Sequence, residues 1–94
     1  MNMHKPPHPS EFIQEVFMTP FGHSCRYISK KLEVAPSTLS RVLKGQSCVS
    51  PEMALKLSKT LGRSPESWLT MQNDYDLWLA KQKVNLEKLQ PIEF

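Results

Sequence analysis

Three hydroxyls and a guanidinium fall within five consecutive positions of the segment PSTLSRVLKG, Pro36–Gly45: Ser37, Thr38, Ser40 and Arg41. On a helix, Ser37 stands one turn before Arg41 and Thr38 three residues before it, so these side chains share a face. The opposite stripe is apolar, formed by Leu39, Val42 and Leu43. A guanidinium fork can bond the O6 and N7 atoms of guanine together, a hydroxyl can pair with either base type, and the threonine methyl can touch a thymine methyl. The chemistry expected of this face is therefore readout of base edges in a DNA major groove. Arg41 is the principal candidate, Ser37 and Thr38 lie nearer the helix start where side chains approach the bases, and Ser40 sits on the flank.

Such a helix must be held at an angle to its neighbour and brought to the phosphate backbone. Upstream, Ser24 is a good N-cap for a helix running to Leu32. Ile28 and Leu32 face inward, and Ser29 is small enough for a second helix to approach closely. Glu33-Val34-Ala35 then forms a tight turn into the helix predicted over Pro36–Lys44, which Gly45 stops in a left-handed conformation. Two helices and a tight turn with a polar outer face on the second make a helix-turn-helix, in which the second helix enters the groove and the first crosses the backbone. Phosphate contacts are expected from Ser24 and the N–H groups of its helix start, with Arg26, Lys44 and Gln46 as further candidates. Between His23 and Gln46, five cations (Arg26, Lys30, Lys31, Arg41, Lys44) stand against the single acid Glu33, a larger excess than the +3 of the whole chain. This half-domain attracts a polyanion, although charge alone specifies neither fold nor base sequence.

The remaining elements are punctuated by proline and glycine. Met1–Pro7 is polar and proline-rich and is expected to be an arm outside the domain, which spans residues 8–82. A first helix is predicted from Pro9 to Phe17, with Phe12, Ile13, Val16 and Phe17 on one apolar face and Thr19-Pro20 ending it. Ser50-Pro51-Glu52 opens a fourth helix with a cap, a proline and an acid at the positive end of the dipole. Met53, Ala54, Leu57 and Leu61 are its core residues, and Gly62 ends it. Ser64-Pro65-Glu66 repeats the opening for a fifth helix, on which Trp68, Met71, Tyr75 and Trp78 form one stripe flanked by Leu69 and Leu79. The tail, residues 83–94, is broken by Pro91, and Ile92 and Phe94 either form an edge strand or fray. No segment alternates with period two, so the fold class is all-α with five helices.

Ninety-four residues make one domain. Cys25 and Cys48 have no metal-ligand spacing and read as ordinary thiols of a reducing compartment. The N-terminus lacks the apolar stretch of a signal peptide and no run is long enough to span a membrane, so a cytoplasmic protein without membrane contact is expected. His4, His8 and His23 are scattered over loops, His4 with His8 in the HKPPH run at the border of arm and domain reads as polar arm rather than metal site, and Glu11 and Glu15 form a solvated face. No phosphate loop, nucleophile elbow or carboxylate pair is present. No catalytic residue, metal or cofactor is therefore expected.

The segments PSTLSRVLKG, SPEMALKLSKTLG and SPESWLTMQNDYDLW, together with the opening HPSEFIQEVFMTPFG, resemble the HigA-type (VapI-like) antitoxins of the Xre/lambda-repressor-like helix-turn-helix superfamily. The resemblance covers His8 to Trp78. It implies a five-helix DNA-binding domain, a small RelE-like ribonuclease toxin of the HigB type as partner, and repression of the chain's own operon by a dimer on a palindromic operator. Matched position by position, the family's base-reading residues fall on Pro36, Ser37, Thr38 and Arg41. Two positions depart from the pattern. Glu33 stands where the turn usually has glycine, and Ala35 where the third helix usually has a serine cap.

A single recognition helix reads few base pairs, and a two-fold dimer places two of them about one DNA turn apart. The surface expected to form that dimer is the far part of the fifth-helix stripe, Tyr75, Trp78 and Leu79, with Trp68 turned into the monomer core. Two alternatives stay open: a stand-alone Xre-type regulator without a toxin, and a protein-interaction module whose helix-turn-helix is vestigial.

Overall fold

Hydrophobic spacing and caps produce five helices in the computed structural model, which describes residues 5–93. The first helix, α1 (Pro9–Phe12), runs directly into a π-helical segment, Ile13–Met18; α2 (Cys25–Leu32), α3 (Pro36–Leu43), α4 (Pro51–Leu61) and α5 (Pro65–Lys83) follow. No strand occurs among the described residues, and none of the helices there is long and apolar enough to cross a membrane. Ser24, Ser50 and Ser64 each accept an N–H from three residues on, at 3.0–3.1 Å, so the three serine-started helices begin where their caps dictate.

The core is one cluster to which every helix contributes. Ile13, Ile28, Leu32, Leu39, Val42, Val49, Met53, Ala54, Leu57 and Trp68 are buried in it. Trp68 lies at the centre, its indole N–H donating to the Gly62 carbonyl at 2.9 Å. Burying an indole is favourable only when that donor is satisfied. Phe12 meets Trp68 edge-on with ring centroids 5.6 Å apart, which docks the first helix onto α5. The loop between α3 and α4 is fastened by buried Gln72, whose Oε1 accepts the Val49 N–H at 2.9 Å while its Nε2 donates to Asp76 at 3.0 Å.

The first helix departs from the sequence expectation. Its second half is π-helical, with Thr19 N–H donating to Gln14 rather than to the residue four back. The helix ends at Met18 with Thr19 as its C-cap, where Thr19-Pro20 was expected to end it, although Thr19 keeps helical dihedrals (φ −60°, ψ −49°). Pro20 has no N–H with which to carry the helix further. The turn that follows is closed at Gly22 (φ 67°), where His23 N–H reaches the Met18 carbonyl at 3.0 Å. The altered pitch rotates the apolar face, leaving Ile13 buried, Phe12 and Phe17 half-buried and Val16 turned out to solvent.

His8 also departs from expectation. It is buried and caps α1, its Nδ1 accepting the Ser10 N–H at 3.0 Å. Lys5, four residues from the start of α1, places its Nζ 5.9 Å from the centre of the Trp78 ring. The first four residues of the expected arm lie outside the described residues, as does Phe94. Residues 84–93 form no strand and are exposed throughout, Ile92 included.

Candidate nucleic-acid interface

The elbow between α2 and α3 is built around Ser29. This residue is fully buried, and its hydroxyl donates back to the Cys25 carbonyl at 2.7 Å, so a small polar side chain is satisfied where the helices cross. The half-buried Cys25 thiol completes the contact, 3.7 Å from the Pro36 carbonyl. At the end of α2, Glu33 adopts the left-handed conformation (φ 57°, ψ 45°). Its N–H donates to Lys30 at 3.2 Å, and the Val34 N–H donates to Ser29 at 3.1 Å. This is the paired closure that usually carries glycine, here with a side chain that raises its cost by about 1–2 kcal/mol. Lys56 of α4 donates to the Glu33 carbonyl at 3.4 Å and ties the turn to the domain.

The third helix starts at Ala35 with no side-chain cap, and Pro36 supplies the first turn. Its end is closed by Gly45 (φ 74°): the Gly45 N–H donates to Val42 at 3.0 Å and the Gln46 N–H to Arg41 at 2.8 Å. Leu39 and Val42 are buried and Leu43 half-buried, so the apolar stripe holds this helix to the core.

Pro36, Ser37, Thr38 and Arg41 are all exposed on the opposite side, and Ser40 is half-buried beside them. Arg26, Lys44 and Gln46 are exposed as well. The Ser24 oxygen accepts the Tyr27 N–H at 3.1 Å, which leaves the hydroxyl hydrogen free to point outward at a phosphate oxygen. The surface thus combines a helix face of uncommitted hydroxyls and one guanidinium with exposed cations on α2 and just past the end of α3, and with the exposed Ser24 cap at the start of α2. Among the described residues, no three His, Cys, Asp or Glu side chains come together as a metal site requires.

Three positioning contacts were not legible in the sequence. Gln14, in the π segment, donates to the Leu43 carbonyl at 3.1 Å; the others are the Lys56 tie to the turn and the Gln72 fastening. Each joins residues at least 23 positions apart, and no local pattern announces such a pair. On α5, Trp68 is in the core as expected, while Tyr75, Trp78 and Leu79 are half-buried. Tyr75 and Trp78 lie 6.2 Å apart between centroids.

Comparison with known proteins agrees with this geometry. The family model HTH_3, helix-turn-helix, matches residues 18–68, more than half of the chain. The chain is 40% identical over 89 residues to the HTH-type transcriptional regulator YddM of Escherichia coli K12, covering 95% of this chain and 94% of that one. It is 30% identical over 77 residues to antitoxin HigA-1 of Vibrio cholerae, covering 82% and 72%. The solved structure of antitoxin GraA in complex with its operator superposes with a TM-score of 0.87 at 33% identity, covering 100% and 98%. By name these relatives are an HTH-type transcriptional regulator and two antitoxins. With matching helices, turn and sequence over nearly its whole length, the chain belongs to the Xre-like helix-turn-helix family, on the branch of the HigA antitoxins and their VapI-like relatives.

Proposed function

We propose that this chain is the DNA-binding antitoxin of a type II toxin–antitoxin pair, repressing its own operon as a homodimer on a palindromic operator and neutralising a RelE/HigB-like ribonuclease. The observation that carries the reading is the exposed α3 face of Pro36, Ser37, Thr38 and Arg41, flanked by cations, in a fold matched by an antitoxin solved on its operator.

In the complex, α3 lies in the major groove with its N-terminal half against the bases. Arg41 grips the O6 and N7 atoms of a guanine, and Ser37 and Thr38 contact neighbouring base edges, with Ser40 at the flank. Ser24, Arg26, Lys44 and Gln46 hold phosphates to either side, setting the register without reading sequence. Pairing of two chains through Tyr75, Trp78 and Leu79 presents two α3 helices to successive major grooves on one side of the duplex.

Fluorescence anisotropy on the chain's own promoter and on scrambled DNA, at two salt concentrations, tests this. Wild type is expected to prefer the promoter, with affinity falling as salt rises. Arg41→Ala is expected to lose about 1–3 kcal/mol on the promoter and to relax preference at one base position. Equal weak binding to both DNAs would instead favour the interaction-module reading, to which the uncapped start of α3 lends some support. Inhibition of the RNA-cleaving activity of a ribonuclease encoded beside this gene separates an antitoxin from a stand-alone regulator.

A further inference from the structure

The last four carbonyls of a helix have no partner within it and must be satisfied from elsewhere. In α3 these are Ser40, Arg41, Val42 and Leu43. The chain that follows closes three of them itself: Lys44 N–H donates to Ser40 at 3.0 Å, Gly45 N–H to Val42 at 3.0 Å, and Gln46 and Ser47 N–H both to Arg41, at 2.8 and 3.2 Å. Among the described residues, the partner of the Leu43 carbonyl comes from a different element, the Gln14 side chain at 3.1 Å. Gln14 stands in the π segment, where the hydrogen-bonding register has widened. The other end of α3 has no side-chain cap and meets α2 through the Cys25 thiol, 3.7 Å from the Pro36 carbonyl.

We infer that Gln14 is a positioning residue for DNA readout, tethering the C-terminus of α3 to the first helix so that Arg41 and Thr38 meet the bases at a set angle. The inference rests on the reading of α3 as the recognition helix. The same first helix is anchored on α5 at its opposite end, through His8 against Tyr75 and Phe12 against Trp68. It therefore acts as a strut between α5 and the helix that reads DNA. Gln14 is itself exposed, so its removal opens no cavity and leaves the core intact.

The test compares wild type, Gln14→Met (similar length, no donor) and Gln14→Arg (donor restored) in two measurements. The first is the ratio of promoter affinity to scrambled-DNA affinity, in which general charge effects largely cancel. The second is amide hydrogen exchange of Lys44–Ser47 in the DNA-free protein. Gln14→Met is expected to lower the ratio by roughly three- to tenfold, the range of a lost net hydrogen bond, and to speed exchange at Lys44–Ser47. Gln14→Arg is expected to restore both. An unchanged ratio in Gln14→Met overturns the inference. A lowered ratio with unchanged exchange also overturns it, because Gln14 would then be contacting DNA directly. A wild-type protein without promoter preference would remove the repressor reading together with this one, whereas the two results just named leave that reading standing.

Discussion

The rings of His8 and Tyr75 meet at 87° with centroids 4.9 Å apart, so the residue that caps the first helix is also the one that seats it on α5. The Nδ1 atom of His8 accepts the Ser10 N–H at 3.0 Å and lies 2.8 Å from the Ser10 hydroxyl. A nitrogen that accepts an N–H must be unprotonated, so the neutral ring carries its hydrogen on Nε2.

That arrangement predicts acid sensitivity. Burial lowers the His8 pKa from its ordinary value, outweighing the carboxylates of Asp76 and Glu11, which favour the charged form. The folded state therefore binds fewer protons than the unfolded one. Its stabilising contribution is full above the ordinary histidine value of about 6.5 and is lost as pH falls through the lower folded value. Urea unfolding at a series of pH values is expected to show a midpoint that drops below neutrality. In His8→Asn, which keeps a capping oxygen but does not titrate, the drop should shrink. An equal drop in the variant would assign the effect to another group.

At the turn before α3, the left-handed Glu33 sets up a substitution that should stabilise. Its φ of 57° costs a residue with a Cβ about 1–2 kcal/mol, and glycine is free of that cost. Glycine also loses more backbone entropy on folding, so the net gain expected for Glu33→Gly is roughly 0.5–1 kcal/mol, read as a higher urea midpoint with an unchanged slope. Loss of the only acid between His23 and Gln46 should raise affinity for any DNA at low salt. A lower midpoint would mean that the glutamate makes a compensating contact.

The half-buried stripe of Tyr75, Trp78 and Leu79 is expected to be the seam between two chains. Light scattering of the wild type at micromolar concentration should give twice the 10.8 kDa of one chain. Trp78→Ser should shift the mass toward the monomer while leaving helical content in place, since the core is centred on Trp68 instead. Promoter affinity should fall with it, because a monomer engages one half-site. A wild-type mass of one chain would remove this seam.

How far the chain could be read from its residues depended on the range of the interaction. Local chemistry was legible: serine caps followed by proline marked the starts of α4 and α5, Gly45 marked the end of α3, and the spacing of Leu39 and Val42 told which face of α3 is buried. Such signals work because each is settled within one or two helical turns by backbone sterics and hydrogen bonding. The left-handed Glu33 and the missing cap at Ala35 were likewise visible, as departures from a known pattern.

Tertiary structure decided what depended on partners distant in sequence. Whether the first helix keeps an α or a π register changed which of its residues are buried, turning Val16 outward and bringing Gln14 within reach of Leu43, 29 residues away. His8 looked like part of a polar arm and became a buried cap, because Tyr75 of α5 supplies the ring it packs against. A histidine or a glutamine carries no local mark of such a role. The sequence determined the helix starts and the chemistry of the face proposed to read DNA; only packing between helices decided how that face is held, since the atoms that hold it come from elements far apart along the chain.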